Sequence, residues 1–104
     1  MFIALVLFEP GDTDADETQE AVRGVLDTIV RHQPGFRRAR LHRGTGPSEG
    51  MVVNYMEWES AEAFHAFRER HGPEVTASVG RFNPRFTFHT VAHEVEPALA
   101  KETA

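Results

Sequence analysis

The chain has 104 residues, no cysteine and a formal net charge of −5. This length suits one domain with its own hydrophobic core, and the lack of cysteine excludes disulfides, thiolate nucleophiles and thiolate metal ligands. The acidic balance argues against nucleic-acid binding, no apolar run is long enough to span a bilayer, and no basic leader precedes the first strand-like segment. We therefore expect a cytoplasmic protein without nucleic-acid or membrane partners.

The first half of the chain predicts a strand, a helix and a second strand. Residues 2–9 are apolar on both faces, which is typical of a central strand covered on both sides. Thr13 or Asp14 can cap a following helix, which ends before the Pro-Gly pair at 34–35. Residues 36–44 are rich in arginine and predict an edge strand. The helix carries one apolar stripe, formed by Val22, Val25, Leu26, Ile29 and Val30.

The second half repeats this order. Residues 51–60 predict a third strand, and Ser60 caps a second helix that the Gly72-Pro73 pair is expected to end. Residues 73–82 fit either a short helix or a lid-like loop, and residues 85–95 predict a fourth strand. We expect one domain over residues 1–96 and a flexible tail over 97–104.

The resulting β-α-β-β-α-β order is that of a ferredoxin-like α+β fold, with an antiparallel four-stranded sheet whose first and third strands are central. Right-handed crossovers place both helices on one face of the sheet. The opposite face would then expose apolar side chains of the first and third strands, which soluble monomers avoid. We therefore predict a homodimer of two face-packed sheets, a dimeric α+β barrel.

The six histidines predict no metal site. His89 and His93 share a strand face but are separated by roughly 13 Å, and His65 and His71 lie on different sides of the second helix. The glycine-containing loop at 44–50 lacks the spacing of a dinucleotide fingerprint, and no P-loop is present.

The third strand places an amide and the chain's single tryptophan on one face. Asn54 and Trp58 share this face with Val52 and Met56 because side chains alternate along a strand. If the face points toward the helices, it outlines an apolar pocket with few polar groups, as in a site for a small aromatic ligand. The alternative is a packed core in which the indole N–H reaches solvent and the Asn binds a loop. The other side chains expected at the pocket are Phe64, His65, Phe67 and Phe82.

Two segments resemble the antibiotic biosynthesis monooxygenase superfamily. NYMEWESAEAFHAF, residues 54–67, is similar to its central signature of a strand ending in Trp followed by a helix with Ala and Phe at this spacing. QPGFRRARLHRG, residues 33–44, resembles the segment that leads into its second strand. The resemblance covers residues 2 to about 95 and implies the same dimeric barrel.

The resemblance also implies an activity. Several members are cofactor-independent oxygenases that convert anthrone-like polyketides to quinones with O2, and an Asn and a Trp matching Asn54 and Trp58 take part in catalysis. An aromatic hydroxyl of that subgroup is replaced here by Phe64, so His65 or water would accept the proton. Met56, Phe64, Phe67 and Phe82 would bind the substrate. The alternatives are a non-catalytic ligand-binding or accessory protein, a polyketide cyclase and, with less support from the first strand, haem degradation.

Overall fold

A computed structural model describes residues 1–9, 11 and 14–98 and contains the predicted strands and helices in the predicted order. Short 3-10 turns follow each helix, at Val30–His32 and Gly80–Phe82. The alternative cap Thr13 and tail residues 99–104 lie outside the described residues, and the domain division at residue 96 stays a prediction. The elements are β1 (Phe2–Phe8), α1 (Ala15–Thr28), β2 (Phe36–Arg43), β3 (Val52–Trp58), α2 (Ala61–Val79) and β4 (Pro84–Thr90).

The four strands form one antiparallel sheet in the order β2-β3-β1-β4. The apolar strands β1 and β3 are central and the arginine-rich β2 is at an edge, which confirms the predicted ferredoxin-like α+β arrangement. Val6 of β1 pairs with Asn54 of β3 on one side and with Phe86 of β4 on the other. These three residues therefore form one row across the helix-covered face.

Helix α1 begins where the sequence provides a cap. The Asp14 carboxylate accepts a hydrogen bond from the Asp16 backbone N–H at 2.9 Å, which satisfies one of the free donors of the first turn. Val22 and Val25 are buried against the sheet, and Val30 continues the stripe into the 3-10 turn. The apolar stripe read from the sequence is thus the face that this helix buries.

Helix α2 is longer than the sequence indicates, and the expected end at Pro73 is wrong. Ser60 caps it through its hydroxyl, which accepts from the Ala63 N–H at 3.1 Å, but the helix continues through Pro73 to Val79. Proline lacks the N–H that would bind the Glu69 carbonyl. Because Glu69 lies on the exposed side of the helix, water can bind that carbonyl instead. Residues 73–79 are therefore helix rather than a loop.

Strand β4 is shorter than predicted and ends at Thr90. The pairing of β4 with β1 ends at Phe2 and Thr90. Residues 91–98 follow this last pair and are exposed. Over the described residues, neither helix has the length and apolar character needed to cross a membrane.

The turn before β2 packs tightly against the start of α2. Gly35 has φ +84°, and its carbonyl accepts a hydrogen bond from the Glu59 N–H at 2.8 Å. A Cβ atom built at Gly35 would lie 2.6 Å from the Cβ of Ala63. Position 35 therefore needs glycine both for its backbone angle and for this close approach.

We expect Gly35→Ala to lower the free energy of unfolding by about 2 kcal/mol or more, because it adds a clash to an unfavourable positive φ. Gly24→Ala is the matched control. A Cβ at this helical position meets nothing within 4 Å, so it should raise stability by about 0.5–1 kcal/mol. Urea unfolding followed by circular dichroism measures both, and a neutral Gly35→Ala would contradict the tight packing.

Candidate active site

The site is built on the helix-facing side of β3. Side chains along β3 alternate strictly in burial, with Val52, Asn54, Met56 and Trp58 buried and the residues between them half-buried. Asn54 is 5% exposed. The predicted functional face therefore points toward the helices rather than toward the bare side of the sheet.

A cavity of about 200 Å³ lies between this face and the two helices. This volume is just below the range of about 300–1,000 Å³ that holds drug-sized ligands, and it suits a small aromatic molecule. The lining is apolar except for Asn54, Arg68 and Thr76. The apolar lining comes from all the elements except β2, together with the 3-10 turn after α1, and consists of Val6, Phe8, Met56, Val22, Val25, Leu26, Val30, Phe64, Phe67, Gly72, Val75, Val79 and Phe86.

Asn54 brings an unsatisfied polar atom to the cavity wall. Its carbonyl oxygen Oδ1 is buried and has no hydrogen-bond partner in the described part of the chain. Leaving such an acceptor unpaired costs about 1–3 kcal/mol, so buried polar atoms without partners are rare and need an explanation. A ligand hydroxyl in the cavity would supply the missing donor.

Trp58 is fully buried beside the cavity but is not among its lining residues. Its ring stacks on Phe67 with centroids 5.3 Å apart and meets Phe64 edge-on at 5.6 Å. The indole Nε1–H is also buried without a partner among the described residues. Trp58 therefore supports two cavity-lining rings, and its predicted hydrogen bond to a substrate stays a prediction.

The remaining predicted side chains divide between the cavity and its surroundings. Met56, Phe64 and Phe67 line it. His65 is exposed and packs against Phe2, Phe64 and Phe88, with ring centroids 5.7–6.3 Å apart. Phe82 is buried, and the guanidinium carbon of Arg81 lies 4.3 Å from the centroid of the Phe82 ring. Neither His65 nor Phe82 is part of the cavity wall.

Sequence reasoning missed the second half of α2 as a cavity wall. Phe64, Arg68, Gly72, Val75 and Val79 recur at three- and four-residue intervals and form one helix face. The valine spacing was a usable signal, because it continues the stripe that Phe64 begins. It was masked by the Gly-Pro pair, which normally indicates a helix end.

Titratable groups are scarce at the cavity. Within residues 1–9, 11 and 14–98, no three His, Asp or Glu side chains are grouped to hold a metal ion. His71 Nδ1 lies 2.9 Å from the Glu74 carboxylate on the exposed side of α2. The cavity can therefore enclose an aromatic molecule and offer amide, hydroxyl and guanidinium hydrogen bonds, but no wall carboxylate or imidazole.

Residues 1–78 match the family model described as antibiotic biosynthesis monooxygenase. No curated protein sequence matches the chain.

Three solved structures illustrate the proteins that share this fold. The monooxygenase from the gene ActVA-Orf6 of Streptomyces coelicolor, in complex with nanaomycin D, is 23% identical, with a TM-score of 0.74 over 93% of this chain and 92% of its own. SnoaB, a cofactor-independent oxygenase from Streptomyces nogalater, is 17% identical, with a TM-score of 0.76 over 92% and 98%. Rv0793 from Mycobacterium tuberculosis is 20% identical, with a TM-score of 0.65 over 91% and 98%. At these identities the likeness shows the fold.

We expect Asn54→Leu to raise the free energy of unfolding by about 1 kcal/mol, because it removes an unsatisfied buried acceptor and keeps a similar volume. Thr18→Val is the matched control. Thr18 is also buried, but its hydroxyl donates to the Asp14 carbonyl at 3.3 Å, so its loss should lower stability by about 1 kcal/mol. Urea unfolding of both variants measures the difference, and a destabilised Asn54→Leu would indicate that the amide is paired in the folded protein.

Proposed function

The chain belongs to the antibiotic biosynthesis monooxygenase family, and we propose that it oxidises a small anthrone-like aromatic substrate to a quinone with O2 and no cofactor. The observation that carries this proposal is the unsatisfied Asn54 carbonyl in the wall of a mostly apolar cavity. The fold relatives support it, since SnoaB is described as a cofactor-independent oxygenase and the ActVA-Orf6 protein was solved with nanaomycin D.

Binding follows from the shape and chemistry of the wall. Flat fused rings would bury their faces against Phe64, Phe67 and Met56, which line the cavity. A phenolic hydroxyl would donate to Asn54 Oδ1, and the amide N–H2 of Asn54 would donate to the adjacent substrate carbonyl. These two bonds fix which edge of the ring system faces β3.

The reaction itself uses the electronic properties of the substrate. An anthrone methylene gives a proton to water and becomes an enolate, which passes one electron to O2. The resulting substrate radical and superoxide combine into a C–O bond, and protonation gives a hydroperoxide that eliminates water to leave the quinone carbonyl. One O2 is consumed and one water is released. A fixed amide donor in a mostly apolar cavity favours the enolate and peroxide anions, which is the usual role of a preorganised donor.

We expect Asn54→Leu to lower kcat/KM for a dihydroxyanthrone by about 100-fold, because it removes this donor. The measurements are O2 uptake and quinone absorbance. The matched control is the dimethoxy analogue, which cannot donate to Oδ1, so the substitution should slow its oxidation less. Tight binding of the anthrone without O2 uptake would favour the ligand-binding alternative, and a cyclised product would favour the cyclase.

The proton acceptor and the indole are tested separately. Because the exposed His65 is not part of the cavity wall, we expect His65→Gln to change kcat by less than about threefold. A loss of about 100-fold would instead assign the imidazole as general base. Trp58→Phe keeps ring packing against Phe67 and removes the N–H, so a fall in kcat with intact folding would support the predicted catalytic indole.

We also propose that the protein acts as a homodimer packed through the outer face of the sheet. This face carries Leu5, Leu7 and Val53, which are half-buried and which the helices do not cover. Burial raises the pKa of the neighbouring Tyr55 hydroxyl, as does its 3.0 Å hydrogen bond to Glu57, so Tyr55 stays a neutral donor there. An apolar strip on a sheet face suits a second copy of the same sheet.

We expect the protein to elute at twice the 11.7 kDa chain mass in size-exclusion chromatography with light scattering. Leu5→Glu should shift it to the monomer, because Leu5 is at the centre of the strip, paired with Tyr55 and Thr87, and the new charge would be buried without a partner. Thr28→Glu places the same charge at an exposed position of α1, so it should not change the mass measured by light scattering. A monomeric wild-type protein would contradict the proposed interface.

A further inference from the structure

One charged side chain, Arg68, is found among the described residues of the cavity wall. It comes from the middle of α2, and its guanidinium carbon lies 4.9 Å from the Phe86 ring centroid and 5.7 Å from that of Phe64. Cation–π contacts of this length hold a guanidinium in place. Arg68 is exposed and Asn54 is buried, so they mark the mouth and the floor of the cavity.

The charge of Arg68 is not neutralised by a carboxylate within the part of the chain that the structure describes. Its helical neighbours three and four positions away are Phe64, His65, His71 and Gly72, and none of them is acidic. In contrast, two arginines at and near the start of β4 have carboxylate partners: Arg81 pairs with Glu17 and Arg85 with Glu9, each at 3.2 Å. The guanidinium fork of Arg68 is therefore free to bind an anion.

The sheet register gives the spacing between Asn54 and Phe86, the residue whose ring the Arg68 guanidinium covers. Val6 pairs with Asn54 on one side and with Phe86 on the other. Asn54 and Phe86 are therefore two strand spacings apart, a backbone distance of roughly 10 Å. This span is comparable to the long axis of three fused aromatic rings. A ring system with one end at Asn54 would therefore reach the guanidinium above Phe86 with its other end.

We propose that Arg68 selects substrates that carry a carboxylate on the end of the ring system remote from Asn54. This inference rests on the proposed function for the identity of the reacting end. A carboxylate can accept two parallel N–H bonds from the guanidinium, which gives both affinity and orientation. The rest of the wall is apolar apart from Asn54 and Thr76, so an anionic group would find no comparable partner elsewhere in it.

The test is binding rather than turnover, so that it does not depend on oxidation. A dihydroxyanthraquinone carboxylic acid and its methyl ester are titrated into the intact protein near pH 6 by calorimetry, where the carboxylate is ionised and the phenols are neutral. For the wild type we expect the acid to bind about tenfold more tightly than the ester. In Arg68→Met, which keeps a long apolar stem over Phe86, the ratio of the two Kd values should fall to about one.

Arg70→Met is the matched control. Arg70 lies on the same helix and donates to Gln33 at 3.2 Å rather than lining the cavity, so the tenfold preference should persist in this variant. An equal loss of acid and ester affinity in Arg68→Met would overturn the proposal, because it would indicate a contact with the rings or a phenol. A preference that survives in Arg68→Met would overturn it as well. Absence of O2 uptake with an intact acid preference would count against the proposed oxidation alone.

Discussion

One buried carbonyl oxygen, Oδ1 of Asn54, is the feature on which the proposed function of this molecule depends. It is buried in a residue that lines a mostly apolar cavity, and it has no partner among the described residues. A position selected for stability alone would favour an apolar side chain there, since an unpaired buried acceptor lowers stability. The proposed function accounts for this amide, because a substrate hydroxyl would complete the hydrogen bond.

The cavity exists because two helices cover one sheet face without filling the space between them. Helix α1 contributes valines and a leucine, and α2 contributes rings at its start and valines at its end. The aromatic cluster of Trp58, Phe64 and Phe67 packs one end of this space tightly. The smaller side chains toward the end of α2 leave room beside Asn54. Large rings next to small aliphatic groups thus determine where the hollow lies.

The continuation of α2 through Pro73 is central to this arrangement. A helix ending at residue 72 would place Val75, Thr76 and Val79 in a loop, and the cavity would lose one wall. Pro73 removes one backbone hydrogen bond, but its position on the exposed side lets solvent bind the freed carbonyl of Glu69. The packing of the following valines against the core offsets the local cost, so tertiary contacts override the local helix-stop signal.

The sequence by itself determined the element order, the central and edge strands, the Ser60 cap of α2 and the face of β3 that carries Asn54 and Trp58. Those features follow from local periodicity and capping chemistry, which are read over a few residues. Only the tertiary structure decided that Asn54 and Arg68 share a cavity while Trp58, His65 and Phe82 are not part of its wall, and that α2 passes through Pro73. Cavity walls are formed by side chains distant in sequence, and their packing depends on the summed volumes of all elements rather than on any local pattern.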